Sequence, residues 1–281
     1  ILWEPLLSLK FYQFKEEVSA AWIAARVQRV AHSRQSLFKE KLGYLEGGSD
    51  VFLLAIEEAI RKRGGHIYVG TPIDKIQVED GRIAGLVVKG ETQIFDAVIS
   101  TIPLPYVARI VPDLPQEDLQ KLAAIRNVGV VTVKLKLKQS LTPYFWLNIT
   151  DTQYGIPGII EYTNLNPLPD TVVYIPYYMP QDHVKYSWDS EQFRSETIRC
   201  LRDVNPNFDE SWIKALHISR YFYAQPVCTP AYLSTLPPMQ SPIGGFFMAD
   251  TSYYYPQDRS ITDSIRVGKQ LADLAAHAAD A

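Results

Sequence analysis

Gly244-Gly245-Phe246-Phe247-Met248-Ala249-Asp250-Thr251, followed by Tyr255-Pro256-Gln257-Asp258-Arg259-Ser260-Ile261-Thr262-Asp263-Ser264-Ile265, is the most informative stretch of this 281-residue chain. The apolar run Gly245 to Ala249 predicts a short buried strand. It ends in an acidic residue, and a loop then feeds an alanine-rich helix expected from Thr262 to the C-terminus. A carboxylate at a strand end can accept hydrogen bonds from sugar or ribityl hydroxyls. A helix N-terminus presents free N–H groups and a partial positive charge, which suits negative charge developing on a cofactor ring such as a flavin. The same spacing also allows Asp250 merely to cap a turn and Thr262 merely to cap the helix.

Working back from this stretch, the chain alternates helical and extended patterns without a regular strand–helix–strand repeat, which predicts α+β organisation for most of it. An amphipathic helix is expected over Glu16 to Arg34. A second is expected over Val51 to Arg63, capped by Ser49 or Asp50, with Phe52, Ala55, Ile56, Ala59 and Ile60 on one face. Gly64-Gly65 should stop it. Strands are expected at His66 to Val69, at Ile73 to Glu79, and, after the Asp80-Gly81 turn, at Ile83 to Lys89. Phe95 to Thr101 reads as a strand buried on both faces and ended by Pro103 and Pro105. Proline and acidic residues open a helix over Pro115 to Ile125. Gly129 to Lys138 alternates apolar residues with Thr132, Lys134, Lys136 and Lys138, the pattern of a half-exposed strand. Further strands are expected near 158–162, 172–178 and His217 to Tyr223. Ser190 to Val204 reads as a helix, and Gln225 to Pro242 as a long loop.

Composition narrows the function classes. With 47% hydrophobic residues the chain can bury a full core, and a net charge of −3 with mixed signs gives no footprint for nucleic acid. No apolar run has the ~18 residues of a membrane span. The only cysteines, Cys200 and Cys228, form no disulfide framework and no zinc spacing, so a reducing, cytoplasmic setting is expected. The five histidines show no i, i+4 pair, and no metal site is expected. The sequence opens at Ile1, and Trp3-Glu4-Pro5-Leu6-Leu7 reads like protein interior with no leader pattern, so a truncated form is expected.

The order helix, Gly64-Gly65, strand, Ile73-Asp74-Lys75-Ile76, hairpin, Asp96-Ala97-Val98-Ile99-Ser100-Thr101-Ile102-Pro103 resembles the middle of the FAD domain of flavin-containing amine oxidases, protoporphyrinogen oxidases and phytoene desaturases. The ending from Phe246 through Ala272 is similar to that superfamily's C-terminal flavin motif. The segments WEPLLSLKF, LGYLEGG, SLTPYFWLNITD, IIEYTNLNP and YAQPV resemble a bacterial protoporphyrinogen-oxidase-like subgroup related to UDP-galactopyranose mutase.

The resemblance implies a two-domain FAD-dependent oxidoreductase fold, α+β / α/β. Residues 48–110 and 241–281 would belong to the FAD domain, and 1–47 and 111–240 to a mixed-sheet substrate domain. It implies FAD contacts from Ile73 near the adenine, from Thr101 and Pro103 at the end of a bordering strand, from Asp250 and Thr251 at the ribityl or pyrophosphate region, and from the Ile261 and Thr262 N–H groups at the flavin pyrimidine edge. Trp146, Glu161, Tyr162, Asn164, Tyr177, Tyr178, Tyr223 and Gln225 would serve a small-molecule substrate, although tyrosines in a mixed sheet also serve as core or rim. No catalytic residue is assigned.

Three departures matter. Ala249 stands where the family often has glycine, and Asp263-Ser264 where it often has Gly-Ala. The phosphate-cradling Gly-x-Gly-x-x-Gly does not occur in the 281 residues. The chain alone is therefore expected to bind FAD weakly or not at all, while a full-length parent would bind it. The expected reaction is hydride removal from a C–N or C–C bond by flavin. The alternatives are a flavin-assisted, non-redox nucleotide-sugar mutase and a cofactor-free binding or structural remnant.

Overall fold

The computed structural model of the chain describes residues 3–36, 39–40 and 43–279. In chain order the helices are α1 (Trp3–Phe11), α2 (Ala20–His32), α3 (Ser49–Lys62), α4 (Leu104–Ile110), α5 (Gln116–Ala124), α6 (Ser190–Val204), α7 (Tyr232–Thr235) and α8 (Ile261–Ala279). The strands are β1 (Arg34–Ser36), β2 (Lys39–Glu40), β3 (Lys75–Glu79), β4 (Arg82–Val88), β5 (Glu91–Gln93), β6 (Val98–Ser100), β7 (Asn127–Leu137), β8 (Trp146–Asn148), β9 (Gly158–Glu161), β10 (Thr171–Met179), β11 (Ile213–Pro226) and β12 (Phe246–Met248). The mixed helix-and-sheet class read from the sequence is what the chain adopts.

The residues separate into two compact units. One comprises Ile1–Glu16, Ser33–Ile67 and Asn127–Gln225, the other Glu17–His32, Tyr68–Arg126 and Pro226–Ala281. These boundaries come from packing, whereas the segments drawn from the sequence were assigned by cofactor and substrate role.

The first unit is built on a five-stranded sheet in the order β11-β7-β10-β9-β8. β7 and β10 pair antiparallel over nine residues, from Thr171 opposite Leu137 to Met179 opposite Gly129. Val131, Val133, Leu135 and Leu137 alternate inward, while Lys134 and Lys136 face solvent, as the period of two requires. Their core is completed by Val173, Ile175 and Tyr177 of β10 and by Phe193, Ile198 and Leu201 of α6. α6 starts with a capping box: Asp189 Oδ1 accepts from Gln192 N–H (2.9 Å), and Gln192 Oε1 accepts from Asp189 N–H (3.0 Å).

α3 departs from expectation at its start and on its face. Gly48, at φ 82°, takes the cap position without a side-chain bond, in place of Ser49 or Asp50. No residue of its expected apolar face is buried. Its end follows the sequence reading: Gly64 adopts φ +81°, and Gly65 donates its N–H to Ile60 O (3.0 Å).

In the second unit, β3, β4 and β5 form an antiparallel sheet. Asp80 and Gly81, at φ 49° and 73°, make the predicted two-residue turn. The helix expected over Glu16 to Arg34 is shorter, because a 3-10 turn (Tyr12–Glu17) precedes Ser19, whose Oγ caps α2 by accepting from Ala21 N–H (3.1 Å). Residues 66–69, expected as a strand, form none. β6 is only three residues long and is not buried on both faces, with Ile99 42% exposed.

β6 pairs in parallel with β12, Phe246 opposite Val98 and Met248 opposite Ser100. β12 is wholly buried because its two faces serve two cores. Phe246 and Met248 pack with Leu104, Val107 and Leu122, while Phe247 and Ala249 pack with Val267 and Leu271 of α8. Gly245 at φ +81° makes the entry possible: a Cβ there would lie 2.7 Å from Asp96 O.

Candidate functional site

The carboxyl ends of β6 and β12 lie side by side in the second unit, where parallel sheets place nucleotide ligands. β6 runs out through Thr101 and Pro103 into α4, and β12 runs out into Asp250. Asp250 joins the two exits. Its Oδ2 accepts from Leu104 N–H (2.8 Å), at the first turn of α4, and its Oδ1 accepts from Ser252 N–H (2.8 Å). One carboxylate thus caps α4 and opens the short 3-10 helix Thr251–Tyr254. Burial raises the Asp250 pKa, while the hydrogen bonds from Leu104 and Ser252 act in the opposite direction. Pro103 precedes α4 at φ −50° and offers no side-chain cap, so the remote carboxylate does that work.

Ile261 and Thr262 occupy the first two positions of α8 and are exposed. They belong to the first turn of α8, whose N–H groups have no acceptor within the helix itself. Thr262 is not the cap. Ser260 is: its Oγ accepts from Asp263 N–H (3.0 Å) and donates to Asp263 Oδ2 (2.6 Å). Ile73 lies half-buried just ahead of β3. Ser100, not singled out in the sequence, ends β6 with a buried Oγ that has no hydrogen-bond partner among the described residues. Leu104 and Ser100 carried no sequence signal, because their significance comes from contacts across the sheet. Ser252 had one, the i to i+2 turn that aspartate favours.

Of the substrate-side candidates in the first unit, four lie close together at β8 and β9. Glu161, 1% exposed, accepts from Ser140 Oγ (2.7 Å), Leu141 N–H (3.1 Å), Thr142 N–H (2.7 Å) and Thr142 Oγ (3.1 Å). Asn164 donates to Thr142 O (2.7 Å) and Tyr144 O (2.9 Å). Both residues therefore hold the 140–144 turn. Tyr162 accepts from Asn166 Nδ2 (2.9 Å) and packs edge-on against Tyr174, while Trp146 is surface-exposed and donates to Asn148 Oδ1 (2.9 Å). Tyr177 is elsewhere: its ring is buried against Phe193 and its hydroxyl lies 3.1 Å from Thr197 Oγ. Tyr178 is stacked by Lys10 at 5.3 Å. Tyr223 and the buried Gln225 sit near the end of β11.

Among the described residues, no group of three His, Cys, Asp or Glu side chains is placed to hold a metal ion, and no helix is long and apolar enough to cross a membrane.

The fold is shared with several solved structures. An oxidoreductase from Methanosarcina mazei is 22% identical, with a TM-score of 0.58, over 73% of this chain and 49% of its own. Reduced UDP-galactopyranose mutase is 14% identical, with a TM-score of 0.62, over 83% of this chain and 54% of its own. Putrescine oxidase bound to putrescine is 13% identical, with a TM-score of 0.60, over 82% of this chain and 53% of its own. The chain thus spans about half the length of these structures. No curated protein matches the sequence. The model of the flavin containing amine oxidoreductase family matches residues 2–273, and the chain belongs to that family.

Proposed function

We propose that this chain forms the flavin-edge and substrate portions of an FAD-dependent oxidoreductase that removes hydride from a C–N or C–C bond of a small molecule. The observation that carries this reading is the side-by-side exit of β6 and β12, bridged by Asp250. It offers a carboxylate whose remaining lone pairs can accept from ribityl hydroxyls, and, in the same unit, the first-turn N–H groups of α8. FAD would supply the hydride acceptor. The Ile261 and Thr262 N–H groups would orient the pyrimidine edge of the flavin and favour negative charge on it. Asp250 would hold Thr101, Pro103 and Thr251 in register at the cofactor, and Ile73 would border the adenine. Trp146 and Tyr162 would offer aromatic surface to the substrate, with Glu161 and Asn164 shaping the turn beside them.

Phosphate binding is the weak point. The 281 residues contain no Gly-x-Gly-x-x-Gly, so the diphosphate lacks its usual backbone cradle. Titrating the 281-residue protein with FAD and following flavin fluorescence should give micromolar or weaker affinity, a binding free energy of about −8 kcal/mol or less in magnitude. Asp250→Ala should weaken it further, by about tenfold or more, if the junction is the binding edge. Stoichiometric yellow protein after purification would overturn the weak-binding expectation. FAD affinity unchanged by Asp250→Ala would overturn the assignment of the site. Oxygen uptake with an amine donor supports hydride removal. Turnover of a nucleotide sugar only with pre-reduced flavin would replace it with a rearrangement.

A further inference from the structure

The first turn of α8 is held by hydrogen bonds and not by packing. Ile261, Thr262, Ser264, Ile265 and Arg266 are exposed, and the first buried residue of the helix is Val267. The run Tyr253-Tyr254-Tyr255 supplies the anchor. Its three hydroxyls reach three different segments of the second unit. Tyr253 donates to Pro237 O (2.6 Å), Tyr255 lies 2.7 Å from Ser19 Oγ, and Tyr254 donates to Ser264 Oγ (2.8 Å). Ser264 passes the bond on: its Oγ donates to Ser260 O (2.9 Å), which also accepts the Ser264 N–H (3.0 Å). Tyr254 itself is held in place, 7% exposed in the cluster of Phe247, Ala249, Val267 and Leu271. The residues ahead of it are fixed as well, since Asp250 accepts the Ser252 N–H at its carboxylate and the Tyr253 N–H at its carbonyl (3.2 Å). A second tie to α8, from Arg266 to Tyr253 O, is exposed and 3.5 Å long, at the limit of a hydrogen bond.

We propose that Tyr254 is a positioning residue. Its hydroxyl, through Ser264, ties the first turn of α8 to the short 3-10 helix that Asp250 opens, so the carboxylate and the helix N–H groups keep a fixed separation. The inference rests on the flavin reading above, in which those two groups contact different parts of one cofactor. Affinity for a ligand that spans both groups rises when they do not move against each other, and a shared hydrogen-bond chain achieves this where packing does not. Ser264 belongs to the Asp263-Ser264 pair that departs from the flavin motif, and the chain uses its hydroxyl: alanine there would leave the Tyr254 hydroxyl without its acceptor. Asp263 is drawn into the same turn by Ser260, whose Oγ donates to its carboxylate (2.6 Å).

Backbone amide exchange of the 281-residue chain, followed beside an FAD titration, tests this. Tyr254→Phe should speed exchange at Ile265 about fivefold and leave Leu271 unchanged. Ser264→Ala should do the same, and the two substitutions together should do no more, because each removes the same link. Ser264→Thr keeps a hydroxyl and should keep the slow exchange. Tyr255→Phe, which cuts the tie to Ser19 instead, should leave Ile265 as it is. FAD affinity should fall about fivefold in Tyr254→Phe and in Ser264→Ala, and be retained in Ser264→Thr. Unchanged exchange at Ile265, or additive effects of the two substitutions, overturns the proposal. An FAD affinity that Tyr254→Phe leaves untouched also overturns it, while the flavin reading stands. Faster exchange in a chain that takes up no FAD sinks the flavin reading itself and reduces Tyr254 to a structural tie.

Discussion

β7 and β6 are both apolar strands, yet they sit in opposite circumstances. β7 is the longer, is flanked by β11 and β10, and places four consecutive inward residues against β10 and α6. β6 has three residues, one partner strand among the described residues and an exposed isoleucine at its middle. The difference separates two ways of being stable. The antiparallel sheet satisfies its own main chain and buries its own face. The parallel pair depends on fixed points at its ends, namely Gly245 at the entry and Asp250 at the exit.

The comparison breaks if the sheet of the first unit does not lose most from core deletion. Phe193→Ala removes a fully buried ring packed against Tyr177 and Trp188. It should destabilise by about 4 kcal/mol in urea unfolding. Glu161→Ala should cost about 3 kcal/mol in the same measurement, because two backbone N–H groups and two hydroxyls lose their acceptor. In the parallel pair, Gly245→Ala sets a Cβ against Asp96 O in a left-handed conformation, for about 2 kcal/mol. Its signature would be faster exchange at Val98, whose N–H is bonded to Gly245 O, with the first unit unaffected.

The smallest effect is electrostatic. Lys136 and Lys214 both reach Asp170 and hold its carboxyl below the usual carboxylate range. Since the folded pKa lies below the unfolded one, this contribution is present above about pH 4 and is lost as the pH falls through the folded value. Asp170→Asn should therefore flatten the acid limb of the stability profile slightly and leave neutral-pH stability nearly unchanged. A large loss at neutral pH would show that the exposed edge of the sheet matters more than its core.

Cys200 offers an independent check on the first unit's packing. Burial, then the nearby Asp203 and Glu196, push its thiol up to about 12. It should resist thiol reagents at pH 8 in the native protein and react once the protein is unfolded in urea.

Local chemistry was legible wherever it was sufficient. The helix Ser190–Val204 follows from its amphipathic run, the Asp80-Gly81 hairpin from its turn residues, and β7 from strict alternation. The motif around Asp250 pointed to a strand end and a helix start, and both are present. Failures occurred where a segment needed a distant partner. His66 to Val69 has strand-like residues yet forms no strand, and the expected apolar face of α3 has nothing buried on it. The candidate site shows the same division. Thr262 was legible as a helix-start residue, but the cap proved to be Ser260 two positions earlier.

The sequence by itself determined the family, the mixed helix-and-strand class and the elements whose periodicity is local. The tertiary structure decided what the polar residues do. Asp250 bonds to Leu104, 146 positions away, and Glu161 is consumed by a turn 20 residues upstream. Such pairings depend on which strands become neighbours, and strand neighbours are set by long-range packing that a local window of residues does not encode. The same reason explains β6. Its apolar residues were plain in the sequence, but only the arrangement of strands shows that β12 is its one neighbour among the described residues.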